Sequence, residues 1–116
     1  MGELAKWLMI SVIIPSFNQL EGLRKTIGAF TKYRGEDFEI VVIDGESTDG
    51  SSEWLMDHNS VIDKLLIETD KGIYDAMNKG VKLSCGDYLW FMGTGDLPID
   101  FGVQKMFSDI KKDLDK

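Results

Sequence analysis

Four short, almost uninterrupted apolar runs alternate with stretches of helical periodicity, and no other feature of this 116-residue chain restricts its fold as strongly. The runs are Leu8-Met9-Ile10-Ser11-Val12-Ile13-Ile14, Phe38-Glu39-Ile40-Val41-Val42-Ile43, the weaker Leu65-Leu66-Ile67, and Asp87-Tyr88-Leu89-Trp90-Phe91-Met92. Strands that are apolar at nearly every position belong to a parallel sheet covered by helices on both faces. The segments between them supply those helices. Leu20, Leu23, Ile27 and Phe30 recur at helical spacing, and Asn18, three residues before Glu21, is the expected N-cap. A short helix is expected around Ser52 to His58 and a third over roughly Ile73 to Ser84. The third should turn Ile73, Met77, Gly80, Val81 and Ser84 inward, and a last helix should present Val103, Met106, Phe107, Ile110 and Leu114. The order βαβαβαβα predicts an α/β fold, Rossmann-like, with a mostly parallel four-stranded sheet and helices on both faces. Residues 1–116 should form one domain.

Twenty acidic against thirteen basic residues give a formal charge of −7 and a pI near 4.6. That excludes a backbone-tracking nucleic-acid binder, which needs a basic stripe to displace counterions. An anionic ligand must then be met by local amides, a lysine or a metal. The single cysteine, Cys85, rules out an intrachain disulfide and reads as a small buried thiol in a reducing compartment. Trp7 to Ile14 faintly mimics a signal-peptide core, but it carries Ser11, ends at Pro15 and lacks a small-x-small cleavage site. It is also far below the roughly twenty residues of a membrane span. The expectation is a soluble, cytoplasmic domain, at most peripheral to the inner membrane face.

Right-handed crossovers bring all strand C-termini to one sheet edge, where ligands of such folds bind. The segments landing there are Pro15-Ser16-Phe17-Asn18, Asp44-Gly45-Glu46-Ser47-Thr48-Asp49-Gly50, Glu68-Thr69-Asp70-Lys71-Gly72 and Gly93-Thr94-Gly95-Asp96. Ordinary strand ends and helix caps explain any one of them; their convergence points to a ligand site. A dinucleotide site fails because the first turn lacks Gly-x-Gly-x-x-Gly, and no Gly-x-x-x-x-Gly-Lys-Ser/Thr supplies a P-loop. A phosphoacceptor receiver domain fails because Pro15-Ser16 and Glu68-Thr69 stand where its acids should be. What remains is an aspartate-lined pocket. Asp44, ending the second strand, is placed to accept hydrogen bonds from a base imide or ribose hydroxyls. Asp96, flanked by glycines, is placed to hold a divalent cation beside a diphosphate.

Two of these stretches, Ile10-Ser-Val-Ile-Ile-Pro-Ser-Phe-Asn18 and Phe38-Glu-Ile-Val-Val-Ile-Asp-Gly-Glu-Ser-Thr-Asp-Gly50, resemble the opening of family-2 glycosyltransferases with the GT-A fold. The resemblance continues through Asp70-Lys-Gly-Ile-Tyr-Asp-Ala-Met-Asn-Lys-Gly80 and Gly86-Asp-Tyr-Leu-Trp-Phe-Met-Gly-Thr-Gly-Asp96, and so covers Met9 to about Pro98. It implies an inverting transfer from a nucleotide-sugar, foremost a UDP-sugar, to a saccharide or lipid-linked acceptor in bacterial polysaccharide or O-antigen synthesis. It also implies roles for the matching residues. Pro15, Ser16, Phe17 and Asn18 would line the nucleotide pocket, Asp44 and Gly45 would meet the base or ribose, and Ser47 would shape that wall. Lys71 and Gly72 would close over the base with Asp75 and Asn78 nearby, and Asp96 would ligate manganese or magnesium.

The chain departs from the family in two respects. The family's metal motif usually carries more than one acid, whereas Gly93, Thr94 and Gly95 leave only Asp96. Family members are also usually about twice this long, with the acceptor site and the general base in the second half. The expectation is therefore a donor-binding half, truncated before the acceptor half, with no catalytic base assigned: Asp70, Asp75 and Asp87 have no place on the acceptor side. A non-catalytic nucleotide-binding or assembly module completed by a partner chain is the alternative. Self-association through an exposed sheet edge is expected in either case. Among the other residues, His58 reads as a surface histidine, and Trp54, Trp90 and Phe91 as core. Lys79 reads as exposed or as a phosphate contact, and Asp113-Leu114-Asp115 as a solvated helix face.

Overall fold

The computed structural model describes residues 9–33 and 38–97; the expected last helix and Asp113-Leu114-Asp115 lie outside them. The described residues form strands β1 (Ile10–Ser16), β2 (Phe38–Asp44), β3 (Lys64–Ile67) and β4 (Tyr88–Phe91). Helices α1 (Leu20–Phe30), α2 (Ser51–Asp57) and α3 (Ile73–Leu83) connect them, and single 3-10 turns follow α1 and α2. All pairings are parallel, in the order β3-β2-β1-β4. The order reverses at β1, which lies between β2 and β4, so a crevice opens there beyond the strand ends.

β1 and β2 are apolar throughout because both of their faces are covered. Ile10, Val12 and Ile14 pack with Phe38, Ile40 and Val42 against Leu23, Ile27 and Phe30 of α1 and Leu55 of α2. The alternate residues Ile13, Val41 and Ile43 pack against Ala76 of α3. Trp90 meets Phe30 edge-on at 5.6 Å, and Trp54 stacks on the exposed His58. Phe91, expected in the core, is 40% exposed instead, because it lies on the α3 face of β4 while α3 packs mainly on β1 and β2.

Two helix details differ from expectation. Asn18 does not cap α1; the cap position is Gln19, and the Leu20 amide donates to Asp49 Oδ2 from the β2–α2 loop. Helix α3 turns Ala76 and Gly80 inward and leaves Ile73 and Val81 exposed. Its contact line follows the small residues because Gly80 lies directly against Ile13, and a larger residue there would hold the helix off the sheet.

Cys85 is exposed rather than buried, because the chain leaves α3 at the sheet's open N-terminal end, where its sulfur meets the Lys64 amine. That amine pairs at 3.3 Å with Glu39, which is buried and also accepts from Ser11 Oγ (2.6 Å) and the Cys85 amide (2.7 Å). Burial alone would raise the Glu39 pKa, but the three donors and the lysine charge outweigh it and hold the carboxyl below its ordinary value. A carboxyl whose folded pKa is depressed contributes stability above its unfolded pKa of about 4.3, and that contribution is lost as pH falls through the folded value. Glu39→Gln should therefore cost about 1–3 kcal/mol at pH 7 and much less near pH 3, as read by urea denaturation at the two values. An equal cost at both would exclude this account.

Candidate functional site

A cleft of about 490 Å³ opens at the C-terminal edge of the sheet, with Pro15 and Ser16 at the end of β1, Phe17 just beyond it and Gly45 after β2 in its wall. Gly72, Ile73 and Ala76 at the start of α3 complete one side, and Thr94 after β4 closes the other. Ser16 is 4% exposed, and its hydroxyl is the one buried side-chain polar atom without a hydrogen-bond partner among the described residues. Gly45 forms a floor on which two groups converge. A Cβ there would stand 2.8 Å from Asp70 Oδ2 and 3.2 Å from the Phe17 ring.

The loops around the cleft are tied together by side chains. The Asn18 amide donates to Ser47 Oγ (2.9 Å), and Asn18 Oδ1 accepts from the Thr48 amide (2.7 Å). Asp49 accepts from Leu20 through one oxygen and from the Ser51 amide and hydroxyl through the other. The Ser51 hydroxyl is the main cause of its lowered pKa. Among the described residues, Asn18 and Glu46 are the non-glycine residues with positive φ, at 51° and 62°, and both flank the cleft, where such strain tends to collect.

Asp44 is fully buried and lies beneath this wall. Its oxygens accept from the Ser47 amide (2.9 Å), Ser47 Oγ (2.6 Å) and Ser52 Oγ (2.7 Å). On the opposite side, Asp75 accepts from the Lys71 amide (2.9 Å), which lowers its pKa, and Asp70 Oδ1 accepts from the Gly72 amide (3.0 Å). Lys79 is bound to the Thr69 carbonyl, Glu68 and Asp75, and the Glu68 contact is the chief cause of its raised pKa. It braces the β3–α3 loop.

The structure thus brings Pro15, Ser16, Phe17, Gly45 and Gly72 together in the cleft wall, while Asn18, Asp44, Ser47 and Asp75 build the loops behind it. Lys71 and Asn78 are exposed beside it, and Asp96 is exposed two residues beyond Thr94. Thr69, Asp70 and Thr94, which belong to the segments expected at this edge but carried no assigned role, also line the cleft, as do Gln19, Ile73 and Ala76, which the sequence did not single out for it.

No group of three metal-ligating side chains occurs among the described residues. A single carboxylate at Asp96 still suits magnesium or manganese, which commonly take one or two protein carboxylates and complete their shell from substrate phosphates and water. The donor set therefore fits a cation bound together with a diphosphate, and not a cation held by protein alone.

Comparison with known proteins matches residues 11–114 to glycosyl transferase family 2. A PGL/p-HBAD biosynthesis glycosyltransferase of Mycobacterium bovis is 37% identical over 91 residues, which are 76% of this chain and 36% of that protein. The chain thus spans about a third of the length of such curated relatives. Among solved structures, a Pyrobaculum calidifontis mannosyltransferase in complex with GDP-Man and manganese superposes with a TM-score of 0.65 at 23% identity, covering 76% of this chain and 28% of that one. The Mycobacterium tuberculosis glucosyl-3-phosphoglycerate synthase, with manganese, UDP and glucosyl-3-phosphoglycerate, gives 0.68 at 20% identity, covering 84% and 39%. At these identities the two structures establish a shared fold. No helix among the described residues is long and apolar enough to cross a membrane.

Proposed function

Because the chain belongs to glycosyl transferase family 2, we propose that its cleft takes a nucleotide-sugar donor, and that this chain carries the donor-binding part of an enzyme making cell-surface polysaccharide. The observation that carries the reading is Ser16. A buried hydroxyl left without a partner is costly, and here it stands in the wall of a cleft at the sheet's switch point, where a polar ligand would satisfy it.

The residues take the following parts. Phe17, 57% exposed, gives a base an aromatic surface, and Asp70 beside it accepts an N–H from the base edge. Asp44 holds the Ser47 turn and through it the wall. Asp96, with a divalent cation, faces the diphosphate; the cation, when bound, offsets the charge that develops on the departing nucleoside diphosphate. In the inverting reaction the acceptor hydroxyl forms its bond to the anomeric carbon as the bond to the diphosphate oxygen breaks. No described residue is assigned as the base that takes the hydroxyl proton.

Calorimetric titration with UDP, and with GDP as comparator, with and without manganese, tests this directly. Manganese-dependent UDP binding is expected. Gly45→Ala, which sets a methyl between Asp70 and Phe17, should weaken it by about tenfold or more while leaving the far-UV spectrum unchanged. A folded chain that binds neither nucleotide, or a Gly45→Ala variant that binds as the wild type does, would sink the proposal.

A further inference from the structure

Thr26 lies fully buried on the face of α1 that carries Leu23, Ile27 and Phe30. A hydroxyl in that position needs partners, and a helical threonine commonly bonds the carbonyl four residues back. Here that carbonyl, on Gly22, instead accepts the Gly95 amide at 3.0 Å. The same amide donates to Thr26 Oγ1 at 2.9 Å, and the hydroxyl donates to the Asp96 carbonyl at 2.7 Å. One side chain therefore holds the turn at two successive residues, and the Asp96 amide closes the turn on the Gly93 carbonyl at 3.1 Å.

Gly22 is what lets the helix come so close. A Cβ at that position would stand 2.9 Å from the Gly95 nitrogen and 3.1 Å from the Thr94 carbonyl carbon, too near for either to remain in place. Gly95 itself has φ +97°, a conformation other residues adopt only with strain.

We propose that Thr26, seated over Gly22, is a positioning residue that fixes where the Asp96 carboxylate meets a cation. The proposal rests on reading Asp96 as the cation ligand. Neither Thr26 nor Gly22 lines the cleft, so neither touches the nucleoside. Thr26→Val keeps the shape of the side chain and removes all of its hydroxyl's bonds to the turn, to Gly93, Gly95 and Asp96. The turn then keeps only its weaker ties, and the carboxylate spreads over positions that do not serve the ion.

The test uses the 116-residue chain and two readouts: UDP affinity with and without manganese, and amide exchange at Gly95 by NMR. Thr26→Val should cut the manganese-dependent gain in affinity about tenfold, keep manganese-free affinity within about twofold, and speed Gly95 exchange. Thr26→Ser, which retains the hydroxyl, should restore both readouts. Gly22→Ala, with Thr26 intact, should reproduce the loss by displacing the turn. An undiminished gain in folded Thr26→Val, unaltered Gly95 exchange, or a serine variant no better than valine would each overturn the proposal alone. A wild-type chain without any manganese-dependent gain would instead refute Asp96 as the cation ligand, and the proposal with it.

Discussion

Asp96→Ala is expected to abolish the manganese-dependent part of nucleotide binding while leaving the fold intact. Sites with several acids lose metal by degrees as each is removed. Here Gly93, Thr94 and Gly95 precede a lone carboxylate, and no triad of ligating side chains occurs among the described residues. Even outer-shell changes commonly cost about 10–100-fold in metal affinity, so loss of Asp96, the ligand proposed above, should cost at least about 100-fold. The turn itself should survive, because it is held by the Asp96 backbone through Gly93 and Thr26 rather than by the carboxylate. Titration of manganese followed by electron paramagnetic resonance, with UDP present, reads the loss, and an unchanged thermal midpoint confirms the intact fold. Manganese still taken up by the variant would mean that the cation is held elsewhere.

Gly86→Ala should have the largest effect on stability. Gly86 precedes β4, where the chain passes over β1; its amide donates to Ser11 Oγ, and the next two amides reach the Met9 carbonyl. A Cβ on Gly86 would lie 2.5 Å from Ser11 Oγ, 2.6 Å from the Ser11 nitrogen and 2.9 Å from the Met9 oxygen. Two of those atoms are backbone at the start of the central strand β1 and just before it, and cannot turn aside, and the third is the hydroxyl that satisfies buried Glu39. The cost should reach about 3 kcal/mol, the upper range for overpacking, which in a domain of this size lowers the thermal midpoint by more than about 10 °C. An unchanged midpoint would mean that β4 can shift along β1 without penalty.

The fold was readable because burial on both faces leaves its mark on every strand position: Val12, Ile13 and Ile14 are all fully buried, on alternating sides. The convergence of loops followed from topology and was equally legible. Less readable was the division of labour inside the site. Asp44 stands where a base contact would, yet its oxygens accept from Ser47 and Ser52, and that pairing depends on the path of a loop no local pattern encodes. Asn18 has the chemistry of a helix cap, but a left-handed backbone turns it toward Thr48, and Asp49 serves α1 from 29 residues away. Thr26 sits three residues after Leu23 and so on the inward face, but its hydroxyl has meaning only once β4 delivers Gly95 and Asp96. Helix α3 shows the same limit: apolar spacing favours Ile73 and Val81 as the inner face, while Ile13 admits only Gly80.

The bonds from Asn18 to Thr48 and from Leu20 to Asp49 join residues 30 and 29 positions apart. Neither can form before β1 and β2 have found their register, since only that pairing sets Ser16 beside Asp44. The rim is therefore a late product of folding, and a partly collapsed chain has no cleft to offer. A nucleotide bound as proposed would recognise the finished chain alone, and by mass action would draw the folding equilibrium toward that state.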